Sequence, residues 1–336
     1  MGSRRVTGPA LGSMRALPLL GVVAALALAA CGGSSTTASS SASATPTQVV
    51  ASPTWTPTMS PVPIPVVKPG EKLPPIAELE AAFAYDASEP LGFVEHPEND
   101  VDWWGGPPLR AVTYQSGGDQ AAGYLMVPPG EGPFPVVVYA PGWNTGADMW
   151  AEDALALARK GYAGLLVEQP STQFFSYEAL TDIASYVKFA TRLRRGLDLL
   201  ETLPQIDTSR IGFVGWSNGS YVGALLAGLE DRIKSYVLIG EYRFKGDPGF
   251  ERESHLSAAE WDRYVAQMAV ADNLTYVGHN KSAAFLLESG DSQGTFPNKA
   301  LLAAAPKPKI WHVYVGGHET NAASQKYMRA WILKNL

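Results

Sequence analysis

Cysteine is nearly missing from this chain: Cys31 is the single one in 336 residues. One thiol excludes an internal disulfide and a thiolate metal site in the folded domain. Histidine is scarce too, at five, and no His/Asp/Glu spacing has the pattern of metal ligands. Clusters of Lys and Arg are lacking and the formal net charge is −6, which argues against a nucleic-acid partner. Neither a P-loop nor a dinucleotide fingerprint occurs, so no cofactor is expected. The uncharged apolar run from Ala16 to Ala30 is too short to span a bilayer comfortably.

What surrounds that run is informative. Arg4, Arg5 and Arg15 precede it and small residues close it, the pattern of a secretory leader over residues 1–30. Leu28-Ala29-Ala30-Cys31 resembles the bacterial lipobox, in which the cysteine becomes the lipid-bearing first residue after cleavage. The resemblance implies lipidation of Cys31 and a palmitate-type anchor at the cell membrane, with the protein facing the extracellular or periplasmic side. An ordinary leader with an incidental cysteine is the plainer alternative. Losing the leader would remove three arginines and take the charge from −6 to −9. From Cys31 to residue 75 the chain is rich in Ser, Thr, Ala and Pro, with no charge until Lys68. It lacks the large apolar side chains that offset ordering entropy, so a disordered tether is expected there.

Residues 76–336 suffice for one large α/β domain. Strands are expected near 108–115, 121–127, 134–140, 162–168, 210–215, 235–240, 283–288 and 309–315, the first two as a hairpin on a Gly-Gly-Asp turn. "FPVVVYA", "YAGLLVE", "RIGFVGW", "SYVLIG" and "AAFLLE" are continuous apolar runs, as parallel strands covered on both faces require. Helical stretches at 148–160, 179–203, 218–229, 257–271, 297–304 and 319–335 alternate with them. The expected architecture is a doubly wound, mostly parallel eight-stranded sheet, with a helical cap insert over 241–281. Within the insert, Ser257-Ala258-Ala259-Glu260 reads as a capping box. Asp102-Trp103-Trp104 reads as an anchor for the N-terminal segment. Arg192, Arg194 and Arg195 read as bridges to surface carboxylates.

The chemistry concentrates at "RIGFVGWSNGSYVGALLAG", residues 210–228. A short buried strand meets a helix apolar on most faces, and Gly215, Ser217 and Gly219 make a G-x-S-x-G spacing at the join. Small residues there let strand turn sharply into helix and push the Ser217 hydroxyl out of the sheet's end. The backbone N–H of Asn218 opens the helix, where the dipole favours developing negative charge. A second donor is expected from "YAPGWNTG", where Pro141-Gly142 lets Trp143 turn its N–H to the same point. Serine needs a base. His318, after the last strand on a Gly-Gly turn, is the candidate; His312 within that strand and His279 ahead of another are read as structural, and His96 and His255 as loop residues.

With these residues in view, 76–336 resembles the α/β-hydrolase fold, nearest to its dienelactone-hydrolase-like and carboxylesterase members. "LRRGLDLLETLPQIDTSRIGFVGWSNG" carries that resemblance, and "APGWN" with "GWSNG" is similar to cutinase-type polyester hydrolases. The resemblance implies a chain order of nucleophile, acid, histidine and an esterase acting on small-molecule or polymeric esters. One departure stands out. The family's usual acid position, between Gly290 and Pro297, holds Gln293. A neutral amide orients an imidazole but does not balance an imidazolium. Asp291 is the expected acid, with Glu288 and Glu241 as alternatives. A peptidase or thioesterase uses the same triad, and a non-catalytic surface binding protein on a decayed scaffold is the reading from another class.

Overall fold

The apolar runs become the centre of one sheet, and the chain's path through that sheet creates the site. The computed structural model describes residues 62–336 apart from 103–104, 241–254, 281 and 294–295, with backbone only at 293 and 296–298. Cys31, Trp103, Trp104 and Glu241 therefore lie outside the described residues. In chain order the strands are β1 (Val94–Glu95), β2 (Arg110–Ser116), β3 (Asp119–Met126), β4 (Phe134–Ala140), β5 (Ala163–Val167), β6 (Ile206–Trp216), β7 (Ile233–Ile239), β8 (Ala284–Gly290) and β9 (Lys309–Tyr314). The helices are α1 (Ile76–Ala81), α2 (Ala151–Ala158), α3 (Ala179–Glu201), α4 (Asn218–Leu229), α5 (Ala258–Met268), α6 (Asn273–His279), α7 (Phe296–Ala304) and α8 (Ala322–Asn335).

The sheet has nine strands, not eight, in the order β1-β2-β3-β5-β4-β6-β7-β8-β9. The extra one, β1, is two residues long and pairs only through Val94↔Thr113 and Glu95↔Val112, too short for any periodicity to announce it. β1, β2 and β3 run antiparallel, and from β5 to β9 the pairs are parallel. Every residue of β5 and β8 is buried, as strands covered on both faces should be. One face carries the core of α3, α4, α5 and α6 around Tyr186, Phe213 and Tyr221. The other packs α2 and α8 through Trp150, Trp331 and Ile332.

After β4 the chain steps outward to β5, then returns past β4 to add β6 through β9 on the other side. The reversal lies between β4 and β6. In open parallel sheets the crevice outside the carboxyl ends of such strands is where ligands bind.

Two expectations need correction. Residues 62–75 do not read as tether in the structure: Val67 is buried in the core, its N–H donates to Gln267 Oε1 (2.8 Å), and Gln267 Nε2 donates to the Pro65 carbonyl (2.7 Å). A single glutamine holds the segment like a neighbouring strand, an interaction 200 residues apart in sequence. The arginines of α3 do bridge carboxylates, Arg192 to Asp119, Arg194 to Glu230 and Arg195 to Asp198, but Arg192 and Arg195 are buried and not on the surface. Arg195 is 1% exposed and donates to the Gln115, Ala87 and Glu89 carbonyls, and Arg192 donates to Glu168, Gln169 and Gln120 carbonyls and to Asp119. Backbone carbonyls and paired carboxylates together satisfy the buried guanidinium groups, which makes their burial tolerable.

Candidate active site

β6 ends at Trp216 and α4 begins at Asn218, so Ser217 alone makes the turn. It does so at φ 54°, ψ −115°, a conformation that side chains rarely adopt. The surroundings over-determine it: Ser217 N–H donates to the Ile239 carbonyl (2.8 Å) and its own carbonyl accepts Tyr221 N–H (3.0 Å). Gly219 is required, because a Cβ there would sit 2.2 Å from the Ala140 carbonyl oxygen. That close approach also seats the chain after β4 against the start of α4.

His318 Nε2 lies 2.7 Å from Ser217 Oγ, across 101 positions of sequence. The imidazole is held by its neighbours. Trp216 Nε1 donates to the His318 carbonyl (2.7 Å), and the two rings lie 5.2 Å apart. On the other side is Gly240, at φ 66°, where a Cβ would come within 3.0 Å of His318 Cε1 and 3.1 Å of Nδ1. This packing strips water from the ring, which holds the His318 pKa below the usual histidine value, with Glu319 opposing weakly. A neutral imidazole beside a serine hydroxyl is the state a general base needs.

The expected oxyanion donors lie on the two segments that meet at the turn. Asn218 is the first residue of α4, and Trp143 follows β4 in the loop seated against it, 48% exposed. That loop is pinned by Thr145, whose N–H and hydroxyl both donate to the Gly142 carbonyl, and by Ala147 N–H donating to Glu168 Oε1 (2.9 Å).

The carboxylates do not fall as expected. Asp291 Oδ1 accepts Gly316 N–H at 3.0 Å, and Ser292 Oγ donates to the Gly316 carbonyl at 2.7 Å. Asp291 thus fastens the glycine turn that carries His318, through its backbone and not its ring. Glu288 is completely buried, but it faces His312 Nδ1 (2.6 Å) and Ser324 Oγ (3.0 Å). Burial pushes its carboxyl up to about 8, with the Ser324 bond opposing and the Asp153 charge adding. The third candidate, Glu241, comes next in the chain after Gly240 and lies outside the described residues, as does the side chain of Gln293.

Sequence reasoning passed over several residues that shape the site. Asp182, completely buried in the first turn of α3, accepts from Ser176 N–H and Oγ, Tyr177 N–H and the Tyr264 hydroxyl. Phe175 and Tyr177 stand at φ 59° and 61° in the loop before it. No local pattern marks an aromatic residue for left-handed backbone; the Asp182 contacts hold the loop there. Among the described residues no group of His, Cys, Asp and Glu could hold a metal ion. No described helix is long and apolar enough to cross a membrane.

The nine-stranded sheet, its reversal between β4 and β6 and the serine turn make up the α/β-hydrolase fold. The comparisons narrow the likeness: residues 107–245 match the family model described as Esterase FrsA-like. Esterase FrsA of Enterobacter sp. (strain 638) is 34% identical over 126 residues, which are 37% of this chain and 29% of that relative's length. The acetyl xylan esterase from Paenibacillus sp. R4 superposes with a TM-score of 0.61 at 20% identity, covering 74% of this chain and 90% of that one. The dienelactone hydrolase from Anabaena variabilis ATCC 29413 does so at 0.50 and 20% identity, covering 68% of this chain and 99% of that one. At such identity the two structures speak for the fold alone.

Proposed function

We propose that the protein is a serine ester hydrolase. The observation that carries this reading is the 2.7 Å approach of His318 Nε2 to Ser217 Oγ on a strained strand-to-helix turn. The similarity of residues 107–245 to a family of esterases supports it.

The geometry supports the following course. Ser217 Oγ attacks the ester carbonyl while His318 takes its proton. Negative charge gathers on the former carbonyl oxygen, opposite the N–H groups of Asn218 and Trp143, where the α4 dipole and two donors stabilise it. Collapse expels the alkoxide, which receives the proton from His318. Water, deprotonated by the same imidazole, then releases the acid and restores Ser217. With Asp291 on Gly316 and Glu288 on His312, the carboxylate assigned to steady the imidazolium is Glu241, on the ground that Gly240 abuts the ring. Cys31 is assigned as the lipid anchor on the leader sequence, which would hold the domain outside the cell membrane.

The test is direct. Ser217→Ala abolishes hydrolysis of p-nitrophenyl acetate, and a fluorophosphonate probe labels Ser217 in the wild type only. Unchanged turnover in that variant ends the proposal. Glu241→Gln lowers turnover by orders of magnitude, whereas Asp291→Asn acts only through stability of the Gly316 turn; the reverse ranking returns the acid to Asp291.

A further inference from the structure

The loop between β5 and α3 aims two aromatic rings at considerable conformational cost. Phe175 and Tyr177 both hold positive φ, which bulky side chains avoid. Asp182 keeps them there: Oδ1 takes Ser176 N–H (2.9 Å) and Oγ (2.8 Å), and Oδ2 takes Tyr177 N–H (3.3 Å) and the Tyr264 hydroxyl (2.9 Å). Arg192 holds the start of the loop through the Glu168 and Gln169 carbonyls. The outcome is that Phe175 meets Trp143 edge to face, with centroids 5.3 Å apart and planes at 64°. Trp143 remains 48% exposed beside the serine turn, so the pair offers open ring surface at the site. Strain maintained by a buried carboxylate, for rings left partly open, marks a binding surface.

Strand order says which part of a substrate that surface meets. Ser217 leaves β6. His318 lies on the β7 side of it, against Gly240, whereas Trp143 and Phe175 follow β4 and β5 on the opposite side. The alkoxide takes its proton from His318 and so departs on the β7 side. The acyl group then extends the other way, towards the ring pair. Resting on the ester-hydrolase reading, we infer that Trp143 and Phe175 form the acyl wall, and that Phe175 makes the site prefer flat apolar acyl groups, aryl or arylalkyl, over acetyl.

The experiment holds the leaving group constant and varies the acyl group: 4-methylumbelliferyl acetate against the phenylacetate. The wild type is expected to favour phenylacetate in kcat/KM by about tenfold, chiefly through KM. Phe175→Gly should bring the ratio near one, and Phe175→Tyr should keep it. Glycine adopts φ 59° freely, so the variant removes the ring without straining the loop, and a melting temperature no lower than the wild type's verifies that. A wild type that favours acetate, or a ratio untouched by Phe175→Gly, overturns the inference. A second arm separates it from the catalytic reading: Ser217→Ala protein should bind methyl phenylacetate more tightly than methyl acetate, and lose the difference with Phe175→Gly. Binding of that kind in a protein that turns over neither ester sinks the hydrolase and upholds the wall; turnover of both without dependence on Phe175 does the opposite.

Discussion

Replacing Glu288 by Gln should make the protein more stable, and more so the higher the pH. Glu288 lies within β8, is completely buried, and touches His312 Nδ1 and Ser324 Oγ. Its carboxyl is raised from 4.5 to about 8, so at pH 7 it keeps its proton in the folded state and donates it to His312. Burial holds the His312 pKa below its usual value, which suits an accepting, neutral ring. The unfolded chain ionises Glu288 near 4.5, so between pH 4.5 and 8 folding takes up a proton there. For a raised pKa the stabilising contribution is complete below pH 4.5 and is lost as pH rises through 8. One group changes stability by at most 1.4 kcal/mol per pH unit, so the whole window is worth up to about 5 kcal/mol. Glutamine keeps both contacts: its N–H donates to His312 Nδ1 and its oxygen accepts from Ser324. It does not titrate. Urea denaturation from pH 5 to pH 9 should show the variant and wild type together near pH 5, diverging by several kcal/mol by pH 8.5. Parallel curves would refute the reasoning, because they would mean that Glu288 binds its proton no more tightly in the folded chain than in the unfolded one.

Three further outcomes are expected. The acid limb of kcat/KM should titrate below 6.5: burial lowers the His318 pKa, the base is active when neutral, and activity therefore rises with pH through a value under the usual one. A limb above 6.5 contradicts the packing of the ring. Ser217→Gly should be inactive yet more stable than the wild type, by about 1 kcal/mol, because glycine adopts φ 54° without a Cβ; equal melting temperatures for Gly and Ala at 217 would deny that strain is stored there. Gln267→Ala removes both amide contacts to Pro65 and Val67, so hydrogen exchange at Val67 should accelerate by one to two orders of magnitude. Unaltered exchange would show that core contacts alone hold residues 62–70.

The central parallel strands were legible because a strand covered on both faces has to be apolar along its whole length, and a helix between two of them has to cross over. The serine turn was legible for a related reason: few residues fit where strand passes directly into helix. The histidine followed from its place after the last strand, and the structure brings it to 2.7 Å from Ser217. What stayed hidden depends on contacts between distant segments. β1 owes its existence to β2, not to its own two residues. Residues 62–75 look like a tether by composition, yet one glutamine in α5 supplies the hydrogen bonds that their apolar poverty cannot replace. Arg192 and Arg195 look exposed because arginine is most often exposed; here backbone carbonyls and the carboxylates of Asp119 and Asp198 draw them inward.

The acid was the hardest to read, and the structure shows the physical reason. β7 and β8 are adjacent parallel strands whose ends lie side by side, joined by Gly240 N–H donating to the Glu288 carbonyl at 2.9 Å. A carboxylate leaving either strand starts close to the same imidazole, so loop position alone does not choose between them. On the proposed reading the choice is made by what else each carboxylate can bind. Asp291 stands opposite the free N–H of a glycine turn and Glu288 faces a second histidine, and each is engaged there. A loop that loses its acid to Gln293 can then keep an aspartate for structure alone, provided the neighbouring strand end carries the charge. On that argument Gln293→Asp is the informative reversal: installed in a protein already changed at Glu241→Gln, it should restore turnover, and in the wild type it should add little. Restoration of nothing in the double variant would show that the loop after β8 no longer approaches the imidazole, and that the site depends on the β7 end entirely.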